Sequence, residues 1–532
     1  MATRTEILFL GFCAGERELI LKWAASGDMP TVRSLLTQGL SGPSVGLPGF
    51  FIGTTWESFA TGLTPAKTGI YCWEQLQPGT YEHFRCITHD NYKAEPFWNF
   101  LSRAGRRVAV LDVPLSPYSK DLNGIQLIEW GAHDAQSGFM TSPPALAQEV
   151  VARFGQHPLH GNCDADRDVD DYITFRDGLL KGIATKARLT KHFLDQGGWD
   201  MFLQVFTESH CIGHQCWHIH DTSHPWHKPE FAEKIGDPIK DVYCAIDRAM
   251  GEILADIEKD TTVVFLAGHG MGPKYHAQFL LENILLALGV AAPAKAQETQ
   301  ISPRVKVRDR LDPLLGWGWR RLPEHVRKKL KPWHREMRTW IDGPSTTPRS
   351  LIDPAASLCF KVTNNHPTGG IRINIAGREP EGKVHRGPEC EALCAQIAQD
   401  LMNLVNLDTG RPVVQRILRT AEIYQGPYLD HLPDLLIEWS GEAPVYRIGS
   451  PKVGELRGED RYCRSGDHKP GGLFIARGPS IAPGRLDREV SILDFAPTLS
   501  AMLGVELPDK DGKLIPELAL SAENTDTLSP RM

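Results

Sequence analysis

The sequence predicts an α/β fold in which a mostly parallel sheet lies between helices, and three observations carry that prediction. Apolar runs at residues 7–12, 202–206 and 262–266 are continuous rather than alternating, the pattern of strands buried on both faces. Each run breaks into glycine or polar residues and is followed or flanked by segments with helical apolar spacing. Residues able to do chemistry recur just past the runs, at Cys13, His210 and His269. Open α/β sheets gather their ligands outside the carboxyl ends of strands, so the recurrence marks one edge of the sheet as the site.

In chain order, residues 7–12 form the first strand, Cys13 to Gly15 a turn, and Leu19, Ile20 and Trp23 share a helix face. Gly27 and Gly39 stop that helix and a short second one carrying Val32, Leu35 and Leu36. Residues 49–71 pass from a Gly-flanked apolar run through Thr54 and Thr55 into a helix over 56–61. Hydroxyls at a helix start serve as caps, nucleophiles or anion contacts. Residues 107–113 are a strand ending near Asp112, and residues 126–134 place Glu129, His133 and Asp134 after another apolar run. Helices over 179–194 and 242–257 flank the histidine strand, and the strand at 262–266 leads into Gly268 and His269, a histidine that is either structural or catalytic. Residues 290–350 turn basic, most strongly over 320–331, and predict a solvated helical insertion. Residues 370–375 alternate as a half-buried strand and 388–404 as an amphipathic helix; 435–439 and 473–476 are two more strands, with His468 in a Gly-rich loop before the last.

The densest chemistry lies in FLQVFTESHCIGHQCWHIHDTSHPWH, residues 202–227, which holds His210, His214, His218, His220, His224 and His227. A helix after the apolar run puts His210, His214 and His218 on one face, because residues four apart are neighbours. Two imidazoles so placed can grip one metal ion; the plainer alternative is a polar helix with ordinary histidines.

Composition bounds the rest. The 532 residues are 41% hydrophobic and 23% charged with a net charge of -7, a globular balance that gives no support to a nucleic-acid or anionic-membrane partner. No run approaches the roughly 18 apolar residues of a membrane span. The opening MATRTEILFLGFC is too short for a signal peptide and reads as a strand. The 11 cysteines are scattered without a CxxC pair, which predicts reduced thiols in a cytoplasm.

These segments together resemble the alkaline phosphatase superfamily, in its branch of type I phosphodiesterases and nucleotide pyrophosphatases. ILFLGFCAG resembles the opening strand, WESFATGLTPAKTGIY the nucleophile helix, TESHCIGHQCWH and FLAGHGMGP two metal segments, and SGDHKPGGLFIARGP the last metal segment. The resemblance implies an alkaline-phosphatase-like, mostly parallel sheet flanked by helices, with a smaller α+β cap inserted. The expected division is a core over 1–289 and 451–520, the basic insertion at 290–350, the cap at 351–450 and a tail at 521–532.

The family's first metal site, an aspartate, a histidine four residues on and a distant histidine, falls here on His210, His214 and His468. The second, with its carboxylates and its Thr or Ser nucleophile, falls on Cys13, on Ile52 to Thr54, and on Gly268 and His269. One divalent ion on three histidines is therefore expected, zinc first and manganese or iron as alternatives. Three neutral imidazoles leave the ion's charge uncompensated and one position open, an arrangement that lowers a bound water's pKa to about 7. The expected function is hydrolysis of a small-molecule phosphate or sulfate ester by such a water. Thr54 and Cys13 are candidate nucleophiles, His269 is a candidate acid or base, and Glu208 either orients a ligand histidine or acts as base. The alternatives are a lyase, isomerase or transferase on the same scaffold, and a non-catalytic binding relative. Nothing in the sequence specifies an oligomeric state.

Overall fold

A computed structural model describes residues 5–85, 93–131, 138–159, 163–294, 350–365, 367–460 and 462–519. The basic stretch at 320–331 and His133 lie outside them. The strands and helices that position the site are, in order, β1 (Ile7–Phe12), α1 (Arg17–Ser26), α2 (Pro30–Gln38), β2 (Leu40–Val45), α3 (Thr55–Thr61), β3 (Val108–Leu111), β4 (Gly124–Ile128) and β5 (Met140–Ser142). They continue with α4 (Val169–Leu194), β6 (Met201–Phe206), α5 (Glu208–His220), α6 (Pro238–Leu254), β7 (Thr262–Ala267) and β8 (Gly270–Pro273).

A ten-stranded sheet forms the centre, with β1 between β6 and β7 and all three parallel. Every residue of β1 and β6 is buried, so the continuous apolar runs are the signature of covering on both faces. One face packs against α1, α2, α4, α5 and α6 through Ile20, Trp23, Leu179, Ile212 and Ile246, and the other against α3 and the C-terminal helix Phe495–Met502. Each fully buried Leu, Ile or Phe here contributes roughly 1.5–3 kcal/mol as an upper bound.

The sequence did not mark β2, whose LSGPSV lacks an apolar run; it enters the sheet antiparallel to a late strand at Gly472–Arg477. Gly42 there would set a Cβ 2.7 Å from Phe474, so glycine lets the strand lie under that ring. The late strand itself runs antiparallel to β7, which makes the sheet mixed. A separate four-stranded antiparallel sheet joins Cys359–Val362, Thr368–Ile373, Leu435–Trp439 and Val414–Arg419 in the order 359, 368, 435, 414. It has its own apolar cluster with the helix Pro388–Met402. Two hydrogen bonds tie it to the loop before α3: the Gly49 amide donates to Glu438 at 2.9 Å, and Asn364 donates to the Gly49 carbonyl at 3.0 Å.

Two expectations are corrected. His468 does not sit in a loop but in a short strand, β9 (Gly466–Lys469), paired antiparallel with β8 in the register Met271↔His468. Four residues rich in glycine and charge carry no strand pattern; only the partner ribbon makes them one. Nor are all thiols reduced: Cys163 and Cys211 are joined, their Cα atoms 6.0 Å apart, whereas Cys13, Cys72, Cys216 and the other described cysteines are free. Among the described residues no helix is long and apolar enough to cross a membrane.

Candidate metal centre

The parallel register brings the site together. Phe12 stands opposite Phe206 and Gly11 opposite Leu266, so Cys13, Thr207 and Gly268 leave the sheet side by side at one edge. α5 begins at Glu208, which puts His210 in its first turn and His214 in its second. β8 follows directly on Gly268 and His269, and its partner β9 returns His468 to the same place. The Ser465 amide donates to the His214 carbonyl at 2.8 Å, docking β9 onto α5. That approach requires glycine on both sides. A Cβ on Gly466 would lie 2.2 Å from the Gly213 carbonyl oxygen, and one on Gly213 would lie 2.8 Å from Met271. A glycine inside a helix costs about 1 kcal/mol against alanine, and here the close packing of helix and ribbon accounts for it.

His210, His214 and His468 form a triangle with ring centroids 4.5, 4.6 and 4.7 Å apart, and one ligand nitrogen from each lies within 4.8 Å of the others. All three are buried. His214 Nδ1 donates to the Gly466 carbonyl at 2.8 Å, which fixes the tautomer and leaves a lone pair on Nε2. That Nε2 faces His468 Nε2 across 3.2 Å. Burial, then the nearby Arg464 charge, brings the His214 pKa down to about 4. Burial and the neighbouring imidazoles hold His468 well below its ordinary value. Imidazole nitrogens gathered together, two of the rings held neutral by burial and one anchored from behind by a carbonyl, are a donor set that suits a divalent transition metal, so these residues fit such an ion.

The other predicted residues divide. The His269 ring lies 4.6 Å from that of His468, at the edge of the triangle. Cys13 Sγ is 3.6 Å from His210 Nδ1 and accepts from Trp56 Nε1 at 3.3 Å; burial pushes its pKa up to about 12, so it is a thiol at neutral pH. Thr54 and Thr55 stand at the start of α3, but their hydroxyls donate back to the Phe50 and Phe51 carbonyls at 2.8 and 2.6 Å. His218 turns to Ser465 Oγ, 2.9 Å away, and takes no place in the triangle. Glu208 contacts no ligand histidine in its hydrogen bonds; it meets Lys186 at 3.3 Å and His157 at 3.4 Å. Asp112 joins that group 3.3 Å from Lys186 and accepts from the Trp130 and Gly131 amides at 2.8 and 2.9 Å. Glu129 accepts from the Gly138 amide at 2.7 Å.

Three residues of this edge escaped the sequence reading. Lys186 is fully buried in the middle of α4, and its position three residues after Ile183 on the apolar stripe was the available signal. Arg464 and Asp164 offered none. Arg464 Nε and Nη2 donate to the two oxygens of Asp164 at 2.7 Å each, and Nη1 lies 3.0 Å from His214 Nε2. Burial alone raises the Asp164 pKa; the bonds from Arg464 and Tyr462 outweigh it and bring it to about 2.

Comparisons with known proteins give the chain a family. The model of the type I phosphodiesterase / nucleotide pyrophosphatase family matches residues 14–340, more than half of the chain. No curated protein matches the sequence. Among solved structures the chain is similar to murine ectonucleotide pyrophosphatase/phosphodiesterase 5, at 12% identity and a TM-score of 0.47, over 96% of this chain and 98% of that one. An inactive variant of the same murine protein, in complex with AMP, gives the same figures of 12%, 0.47, 96% and 98%. On the span of the family model, the chain belongs to the type I phosphodiesterase/nucleotide pyrophosphatase family, hydrolases of the alkaline phosphatase superfamily.

Proposed function

We propose that this protein hydrolyses a small-molecule phosphodiester, or a related phosphate or sulfate ester, with a single divalent ion held by His210, His214 and His468. Zinc suits three neutral nitrogen donors best. The observation that carries the reading is the convergence of three imidazoles from two distant segments, with no carboxylate among them. Bound there, the ion supplies a Lewis acid for the ester's oxygens and lowers the pKa of water beside it. The chain's own groups favour water over a side chain as nucleophile. The Thr54 and Thr55 hydroxyls are committed to backbone carbonyls, and the Cys13 thiol is held protonated by burial. His269, whose ring lies 4.6 Å from that of His468, is the candidate for exchanging a proton with the ester in this reading.

Metal content and hydrolysis of aryl phosphodiesters, phosphate monoesters and sulfates, measured on the same preparations, test the reading. His214→Ala is expected to lose both stoichiometric metal and hydrolysis, by more than about 100-fold. Thr54→Ala is expected to keep both within a few-fold. Hydrolysis lost in Thr54→Ala with metal retained would return the nucleophile to the chain.

A further inference from the structure

Eight of the described cysteines are free, and one pair, Cys163 and Cys211, is joined. The place of that pair sets it apart. Cys211 follows His210 in the first turn of α5 and Gln215 follows His214 one turn on, so the two form a row beside the ligand histidines. A short strap, residues 163–168, grips this row. Cys163 holds Cys211 covalently, with the Cα atoms 6.0 Å apart. Arg167 reaches the Gln215 side-chain oxygen with Nη1 and donates from Nη2 to the Cys163 carbonyl at 2.7 Å, closing the strap on itself. Gln215 in turn donates to Asp164 at 3.1 Å.

The strap also reaches the other segment that supplies the triangle. Asp164 accepts from Arg464 Nε and Nη2 and from the Tyr462 hydroxyl, all at 2.7 Å, and Arg464 stands two residues before β9. The far end of the strap is Asp168, which caps α4 by accepting from the Asp171 amide at 2.9 Å. Ala165, Asp166 and Asp168 are exposed, so the strap lies at the surface, and Cys163, 8% exposed, sits at its end. Polar contacts near a surface exchange with water at modest cost, whereas the bond between the sulfurs is either made or broken. The hold of the strap on α5 therefore has two states, chosen by one bond.

We infer that the Cys163–Cys211 disulfide is a redox-sensitive clasp on the histidine triangle. Closed, it keeps α5 and the Arg464 segment at the spacing a divalent ion needs; opened by a dithiol, it frees the strap and the affinity for the ion falls. In the opening reaction a thiolate of the dithiol attacks one sulfur and releases the other, and the second thiol of the reductant then displaces the remaining one. Cys163 and Cys211 thereby take up two electrons and two protons, and the reductant becomes a cyclic disulfide. This rests on the metal-dependent reading above and adds its regulation. By linkage, an ion that prefers the closed clasp makes the disulfide harder to reduce by the same factor.

Zinc is the probe, its affinity measured by chelator competition on the full chain, oxidised or reduced with dithiothreitol and freed of it without air. Reduction is expected to weaken zinc binding about 10-fold, as when a group supporting metal ligands is lost. In glutathione buffers zinc is expected to shift the midpoint of the disulfide by about 30 mV toward harder reduction, which is that 10-fold for a two-electron couple. The double variant Cys163→Ser with Cys211→Ser, which neither closes nor offers thiolates to the metal, is expected to match the reduced chain; if it does not fold, the reduced wild type carries the test. His214→Ala is expected to bind zinc in neither form, which ties the measured ion to the triangle. Urea unfolding of the same samples separates a clasp from a plain staple. Equal zinc affinity in both forms, with only stability lowered on reduction, overturns the inference and leaves the metal reading standing. Tighter zinc in the reduced wild type, or alkylation of both cysteines in the unfolded chain without reductant, overturns it too. Zinc bound by neither form sinks the metal reading and this inference together.

Discussion

Two buried polar clusters flank the same strand end, one on either side of Thr207, and they are built on opposite electrostatic plans. In the lysine cluster Lys186 lies 3.3 Å from both Asp112 and Glu208, and it also donates to the Val205 carbonyl and Thr207 Oγ1 at 3.3 and 3.2 Å. Burial by itself lowers the lysine pKa, but Glu208 and Asp112 outweigh it and raise it; burial raises Glu208, and Lys186 and His157 bring it below its ordinary value. Lys186 and Glu208 are both charged, and Asp112 sets a second carboxylate against the same ammonium. The histidine cluster instead gathers imidazole nitrogens, with the Arg464–Asp164 ion pair at its rim. One cluster sets a buried ammonium against buried carboxylates, and the other sets nitrogen donors against one another. Depth of burial and strand-end position are common to both, so neither distinguishes a candidate site. The kind of group brought together does.

The comparison breaks most visibly at Lys186. Lys186→Met leaves two buried carboxylates unpaired and should cost about 3–5 kcal/mol in urea unfolding, while zinc bound per folded chain stays unchanged. A loss of zinc equal to the loss of His214 would mean that the clusters are one unit.

Acid separates them next. His218, one turn beyond His214, is brought to a pKa of about 4 by burial and then by the charges of His224, Lys228 and His227. Between pH 6.5 and 4 the unfolded chain takes a proton that the folded chain refuses, so stability falls as pH drops through that window, by up to about 3 kcal/mol. His218→Gln should lessen that slope in unfolding measured at pH 7, 5.5 and 4.5, leaving the share of His214 and His468, whose pKa values are also lowered. Glu208 has a lowered pKa, so its contribution is present above pH 4.5, its ordinary value, and disappears only below it. Loss of stability confined to pH below 4.5 in both chains would contradict the assignment of His218.

The smallest expected effect lies in the seam between helix and ribbon. Gly466→Ala places a methyl 2.2 Å from the Gly213 carbonyl oxygen and forces β9 away from α5. Its cost should be about 1–3 kcal/mol in stability, with zinc affinity falling about 10-fold as His468 leaves His214. Reduced stability with unchanged zinc affinity would show that the triangle tolerates displacement.

Much of the fold was legible in local pattern. β1 falls at the residues its apolar run marks, because a strand covered on both faces is apolar at every position, and the strand Leu435–Trp439 does so as well, with Glu438 as its one polar residue. His210 and His214 were legible for the same local reason, a helix repeat that puts residues four apart together. His468 entered through family resemblance, since 254 residues of chain separate it from His214 and no local rule spans them.

Glu208 shows the limit of such rules. Its place beside a candidate ligand suggested a catalytic part, yet its partner Lys186 comes from a helix packed across the sheet end. The amino-acid sequence by itself determined the strands with continuous apolar runs, the helices of regular apolar spacing and the histidine pair, because each depends on neighbours within a few residues. Only the tertiary structure decided β2, β9 and which polar groups pair with one another, because such pairing depends on distance in space, and the chain brings Asp112, Lys186, Asp164 and Arg464 to that edge from far apart.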